Sequence, residues 1–223
     1  MNYYQEFIKH LEKEDKENSV SYVMQLISEK ELDIVTLYNE MLRPALYQIA
    51  SNEKEQTITI GQEHIRTAIV RTIVECCYPF VIEERNLKFE GRPVNQEKVI
   101  IFCPEDEYHE IGPRMVEDYF ALNGFETLFL GGNTPRENLI ELMEDLKPDY
   151  VAISISNYYN IVPAKRSIEF LRNKLEKVPK VIVGGYALQN KSNVAEELGA
   201  DLHLKTFEDI EGLRKEETDE VST

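Results

Sequence analysis

The sequence has no tryptophan, three cysteines and ten glycines, and no apolar run approaching the roughly 18 residues a membrane-spanning helix needs. Each shortage excludes something. No membrane span is expected. Cys76 and Cys77 are adjacent and Cys103 stands alone, so there is neither a disulfide framework nor a Cys-x-x-Cys motif. Cys76 and Cys77 fall in an apolar helical pattern, where a free thiol packs as a small hydrophobe. The opening residues MNYYQEFIKHLEKEDKE are charged and amphipathic, unlike a signal peptide. A reducing, cytoplasmic setting fits these features.

Positive charge is also scarce. Lys plus Arg is 25 against 41 for Asp plus Glu, a net charge of −16. Such a chain repels phosphate backbones, and no basic stripe compensates, so direct nucleic-acid binding is not expected. A regulator with this charge would act through a protein partner. What the chain does have is 42% hydrophobic residues over 223 positions, enough to core one large domain or two modest ones.

The two halves have different patterns. Residues 1–84 show helical periodicity only: Tyr4, Phe7, Ile8 and Leu11 form one stripe, Tyr22, Val23, Leu26 and Ile27 a second. Ile34, Leu37, Tyr38, Met41 and Leu42 form a third, with Asp33 as its N-cap and Pro44 expected to bend or end the helix. A fourth helix is predicted over about 60–84. The reading is a four-helix bundle cap at 1–84. Residues 85–97, with Gly91 and Pro93, read as a linker.

From Lys98 strand and helix alternate. KVIIFC, FETLFL, YVAISI, KVIVGG and DLHL read as strands, with helices between them. One is expected to be capped by Thr134 with Pro135 at its first position. The pattern predicts an α/β flavodoxin-like (Rossmann-like) domain over 98–212, a five-stranded parallel sheet of order 2-1-3-4-5, and a disordered tail over 213–223.

In such a sheet ligands bind outside the carboxyl ends of the strands, near the switch in strand order. There the sequence places PEDEYHEIG after the first strand, SISN after the third and GGYA after the fourth. Taken singly, each is an ordinary turn. Taken jointly, they put a lone histidine, carboxylates, small serines and paired glycines at one crevice. No Walker loop, no G-x-G-x-x-G after the first strand and no G-x-S-x-G is present. One histidine is too few for a structural zinc site. A carboxylate two residues before it can hold the Nδ1 proton and sharpen Nε2, which suits a single axial ligand for a metal whose other ligands come from a cofactor.

These residues resemble the cobalamin (B12)-binding domain family, whose signature is D-x-H-x-x-G, then S-x-L, then G-G. Here it runs Glu107-x-His109-x-x-Gly112, Ser154-x-Ser156 and Gly184-Gly185, and LGGNTP (130–135) is similar to the family's segment after its second strand. The resemblance implies that His109 is the lower axial ligand of cobalt and that Glu107 orients it, with Asp106 as the alternative partner. Glu105 and Glu110 read as surface. Ser154, Ser156, Gly184 and Gly185 would line the path of the cofactor's nucleotide tail. The segment IGQEHIRTAIVRTIV (60–74) is similar to the helical cap of CarH/LitR-type light-responsive regulators, which implies that Glu63 and His64 lie near the upper ligand, with the cofactor between bundle and sheet. Three departures stand out: Glu107 replaces Asp, Ser156 replaces an apolar residue, and the tryptophan of those caps is missing.

The resemblance implies a cobalamin sensor, a photoreceptor among the options, without a DNA-binding domain, loaded with adenosylcobalamin or methylcobalamin and signalling to a protein partner, with a homo-oligomer allowed. Two other functions fit the same residues. One is a corrinoid methyl carrier of a methyltransferase system. The other is a degenerate module that kept the fold and lost the cofactor.

Overall fold

The computed structural model of the protein describes residues 3–91 and 97–220. It divides into two compact units, Met1–Glu84 and Arg85–Thr223.

The first unit is helical. Helix α1 (Tyr3–Leu11) buries Phe7, Ile8 and Leu11, and α2 (Lys16–Ser28) buries Val23, Leu26 and Ile27, the stripes expected from their spacing. Asp33 caps α3 (Ile34–Thr36) by accepting the Thr36 N–H at 2.7 Å. Pro44 does not end the helix in which it falls. A π-helical stretch, Leu37–Leu42, joins α3 to α4 (Arg43–Lys54), and the Arg43 N–H reaches back five residues to Tyr38. Widening the helix by one residue there accommodates a ring that lacks an N–H and crowds the preceding turn. Helix α5 (Ile60–Lys88) is longer than expected and runs through the first four residues of the segment read as a linker. Residues 92–96 of that segment lie outside the described residues.

The second unit is a five-stranded parallel sheet of order β2-β1-β3-β4-β5, formed by Lys98–Phe102, Glu126–Phe129, Tyr150–Ser154, Lys180–Gly184 and Leu202–His203 for β1 to β5. Strands β1, β3 and β4 are buried on both faces, so their sequences are continuous apolar runs rather than alternating ones. One face packs Ile100, Phe102, Ile153 and Val183 under α7 (Leu139–Leu146), α8 (Ile161–Lys174) and α9 (Val194–Leu198). Helix α6 (Ile111–Leu122) buries Met115, Tyr119 and Phe120, and Phe120, Phe125 and Tyr150 stack edge to face.

Two expectations change here. Thr134 and Pro135 do not start α7: a 3-10 turn, Arg136–Asn138, comes first, because the Glu105 carboxylate takes the Arg136 N–H at 3.3 Å and its guanidinium at 3.1 Å. And α10 (Phe207–Glu220) carries helical backbone through most of the segment read as a disordered tail, whose residues 221–223 lie outside the described residues. No described helix is long and apolar enough to cross a membrane.

Candidate functional site

Strand order reverses between β1 and β3, and the loops leaving these two strands meet at their carboxyl ends. Pro104 to Glu110 form the first loop. Asp106 turns it in the left-handed region, at φ 65°. That turn sends Glu107 inward, where it is fully buried, and leaves the His109 side chain 68% exposed.

The buried Glu107 carboxylate is surrounded by donors. Its Oε1 lies 2.5 Å from His109 Nδ1 and also accepts the His109 backbone N–H at 3.2 Å. Its Oε2 accepts the backbone N–H groups of Ser156 at 2.9 Å and Asn157 at 2.8 Å. Burial pushes the Glu107 carboxyl up. Hydrogen bonds from His109, the Asn157 N–H, the Asn160 amide and the His109 N–H outweigh it and hold the pKa at about 2. The group is therefore ionised at neutral pH and can only accept, so His109 Nδ1 must be the donor. In the neutral ring the lone pair is then on Nε2, the atom that can ligate a metal.

The Asp-to-Glu departure is thus resolved by geometry. The longer arm reaches His109 and still spans to the β3 loop. Asp106 does not substitute for it: its contacts are backbone ones, its N–H donating to Asn133 Oδ1 at 2.9 Å and its carbonyl accepting from Asn160 Nδ2 at 3.2 Å. Glu110 is more than surface, since its Oε2 accepts the Gly132 N–H at 3.3 Å, and Glu105 anchors Arg136.

The remaining expected residues are placed as follows. Gly112 is exposed on the first turn of α6, and a Cβ there would meet nothing within 4 Å. Ser154 ends β3, in register with Gly184. Ser156 enters through its backbone N–H. A Cβ on Gly184 would lie 2.9 Å from the Leu204 carbonyl. One on Gly185, at φ 111°, would collide with the Ile155 backbone. Both glycines are therefore needed for close packing of the loops. Glu63 and His64 sit in the first turn of α5 in the helical unit, 3.3 Å apart, with Thr67 Oγ1 donating to Glu63 at 2.9 Å.

Three asparagines have parts that the sequence reading missed. Asn133 turns at φ 49° and clasps the Asp106–Glu107 segment, accepting from the Asp106 N–H and donating its own N–H to the Glu107 carbonyl at 2.7 Å. Asn157 supplies a backbone N–H, and Asn160 a buried amide. The available signal was SNYYN, two asparagines at a strand-to-helix junction.

The donor set suits a metal that arrives with its own equatorial ligands. Among the described residues no group of three or more His, Cys, Asp or Glu side chains could hold a bare ion, yet one carboxylate-oriented imidazole stands exposed at the switch point. Open space over Gly112, and a buried His203 Nε2 without a hydrogen-bond partner on β5, are further features that a large ligand could use.

Comparison with known proteins agrees with this geometry. Residues 97–211 match the model of the B12 binding domain. The chain is 28% identical to methionine synthase of Mycobacterium leprae over 133 residues, 57% of this chain but 11% of that protein. It is 24% identical to the HTH-type transcriptional repressor CarH of Myxococcus xanthus over 162 residues, 72% of this chain and 50% of that protein. It is 28% identical to monomethylamine corrinoid protein 2 of Methanosarcina acetivorans over 173 residues, 76% of this chain and 75% of that protein. The solved monomethylamine corrinoid protein of Methanosarcina barkeri has the same fold, with a TM-score of 0.80 at 16% identity over 96% of this chain and 97% of that one. The chain spans a ninth of the synthase and half of the repressor, so it shares with them one portion of larger proteins. With a family model matching from the residue before β1 into α10, and a carboxylate–histidine pair at the switch point, this chain belongs to the B12-binding domain family.

Proposed function

We propose that this chain is a corrinoid-carrying protein in which His109 takes the lower axial position on cobalt and Glu107 holds the ring for it. The observation that supports this reading is the 2.5 Å contact between the buried, ionised Glu107 and His109 Nδ1. It fixes the tautomer and leaves Nε2 as the basic nitrogen. Bound, the corrinoid would supply a cobalt centre able to carry and exchange a methyl or adenosyl group. The protein's own part is to hold and orient the histidine. The N–H groups of Ser156 and Asn157 fix the carboxylate, the carboxylate keeps the Nδ1 proton in place, and Gly112 leaves room over α6. Ser154, Gly184 and Gly185 are proposed to line the path of the nucleotide tail.

A methyl carrier serving a methyltransferase partner is supported by similarity along three quarters of a monomethylamine corrinoid protein. A sensor is the second reading. It is supported by the match to CarH, which at 162 residues is longer than the α/β unit alone. In that reading Glu63 and His64 respond to the upper ligand, and the signal passes to a protein partner.

The test is to mix the protein with methylcobalamin or aquocobalamin in the dark, desalt it and record the absorbance spectrum, then repeat after illumination. Retained cobalamin with a histidine-ligated spectrum that His109→Ala abolishes supports the shared reading. Cobalamin lost on desalting, with a free-cofactor spectrum throughout, refutes it and leaves the degenerate module. A change of oligomeric state on illumination selects the sensor; an unchanged oligomeric state selects the carrier.

A further inference from the structure

From β1 onward, the exposed large hydrophobic side chains of the described residues all lie at the carboxyl end of the sheet: Tyr108, Tyr158, Tyr159, Val162 and Tyr186. Tyr108 stands beside His109 in the loop after β1. The other four form a group of their own. The 3-10 turn Tyr158–Asn160 leads directly into α8, so Tyr158 and Tyr159 precede Val162 by four and three residues, and Val162 precedes Lys165 and Arg166 by three and four. That spacing places them on one helix face. The opposite face, with Ala164, Ser167, Ile168 and Leu171, is the buried one. From the loop after β4, Lys191 sets its Nζ 4.7 Å from the centre of the Tyr158 ring, which joins the two loops into one surface. Tyr158 is 62% exposed and Tyr159 83%, so neither ring contributes much to the core. Clustered, exposed aromatic side chains mark an interaction surface.

The charge on this surface is opposite to that of the chain. Residues 155–168 and 185–193 contain Lys165, Arg166 and Lys191 and no acid, in a chain with 41 acids. The loop after β1, by contrast, carries Glu105, Asp106, Glu107 and Glu110. One end of the sheet is thus divided into an acidic part and an aromatic, basic part, and the second has a positive field of its own.

These features select the occupant. A nucleic acid is excluded by length: a polyanion would run past three cations onto a chain of net charge −16. A folded protein can carry its acids only where the cations are. A ligand seated on His109 would not cover the face either, because the stripe runs along the outer side of α8, about 12 Å from Tyr158 to Arg166 at about 1.5 Å per residue. Tyrosine and arginine are the residues that anchor protein interfaces.

We propose that Tyr158, Tyr159, Val162, Lys165, Arg166 and Lys191 form a docking surface for a protein partner that presents acids around an apolar centre. The surface stands beside the His109 crevice. That the docked partner works on the cobalt rests on the corrinoid reading; the docking itself does not.

The probe is a fluorescein-labelled acidic helical peptide, glutamates around a pair of leucines one turn apart, titrated by anisotropy with cobalamin-free protein in the dark. Binding should saturate and weaken as salt is raised. Lys165→Glu with Arg166→Glu should weaken it at least roughly tenfold. Tyr158→Ser with Tyr159→Ser should weaken it about tenfold and leave the salt dependence as it was. Both pairs lie on the exposed face, so thermal melts and cobalamin uptake should match the wild type. No binding to the wild type, or equal binding to both double variants, overturns the proposal. So does equal binding of a single-stranded oligonucleotide of the same charge, which would make the face a general anion surface. If the tyrosine pair loses cobalamin rather than peptide, the rings serve the cofactor and the proposal fails. If the protein alone associates with rising concentration and Lys165→Glu with Arg166→Glu abolishes this, the occupant is a second copy and the proposal is overturned. If the peptide binds as expected while the protein takes up no cobalamin, the docking surface stands and the corrinoid reading falls.

Discussion

Glu107 Oε1 and His109 Nδ1 are 2.5 Å apart, yet the glutamate is wholly buried and the histidine two-thirds exposed. One residue of the pair belongs to the core and the other to the surface, so the interior of the sheet sets the state of an exposed ring. The carboxylate is held by the backbone N–H groups of Ser156 and Asn157, which shortening their side chains leaves in place. The ring is held by the carboxylate.

Replacing the acid should therefore cost stability as well as ligation. Glu107→Gln presents an NH2 group to a site lined with donors, leaving at least one buried N–H unmet. The expected loss is about 2 kcal/mol, read as a lower urea midpoint at an unchanged slope. A midpoint equal to that of the wild type would mean the buried donors find other partners.

The same carboxylate predicts a pH dependence. Its folded pKa, about 2, lies below the ordinary value of 4.5. A depressed acid stabilises the fold above its unfolded pKa, and the stabilisation is lost as pH falls through the folded value. The wild type should therefore lose on the order of 3 kcal/mol from this group between roughly pH 5 and pH 2. Urea unfolding of ligand-free wild type and Glu107→Gln across that range checks it: the gap between the two should shrink on acidification.

Two glycines of the signature should behave oppositely. Gly185→Ala forces a side chain into the left-handed region and against Ile155, and should destabilise the protein by about 3 kcal/mol or more. Gly112→Ala meets open space on a helix and should leave stability unchanged or raise it by up to about 1 kcal/mol. Only its cobalamin affinity should fall. Thermal melts paired with cobalamin titration separate the two cases.

Cys103 is buried directly after β1, and burial, with the Glu107 and Glu110 charges, pushes its thiol up to about 12. It should resist alkylation at pH 8 in the folded protein and react only on unfolding, whereas Cys76, half-buried on α5, should react first. Mass spectrometry after a timed iodoacetamide pulse measures this.

Much of this protein was legible in its sequence because the signals were local. Apolar runs such as VIIF and YVAIS marked strands buried on both faces, and the i, i+3, i+4 stripes of α1 and α2 marked their inner faces. The alternation of strand and helix then restricted the sheet to few orders, and the one expected is the one observed. The placement of a histidine at a strand end near the switch point followed from that order. Elements governed by context were misread. Pro44 does not end its helix because a π stretch absorbs it, and α7 starts late because Glu105, thirty-one residues earlier, engages Arg136.

The tertiary structure decided which carboxylate serves His109. In sequence Glu107 holds the signature position and Asp106, its neighbour, is the alternative partner. The left-handed turn at Asp106 gives them opposite fates, and that turn is set by Asn133 and Asn160, 27 and 54 residues away. Composition and spacing determined that an acid, a histidine and a crevice would share one end of the sheet. Hydrogen bonds between distant loops decided which acid is buried, which ring nitrogen carries the proton and which faces a ligand, because backbone donors become neighbours only when the sheet has formed.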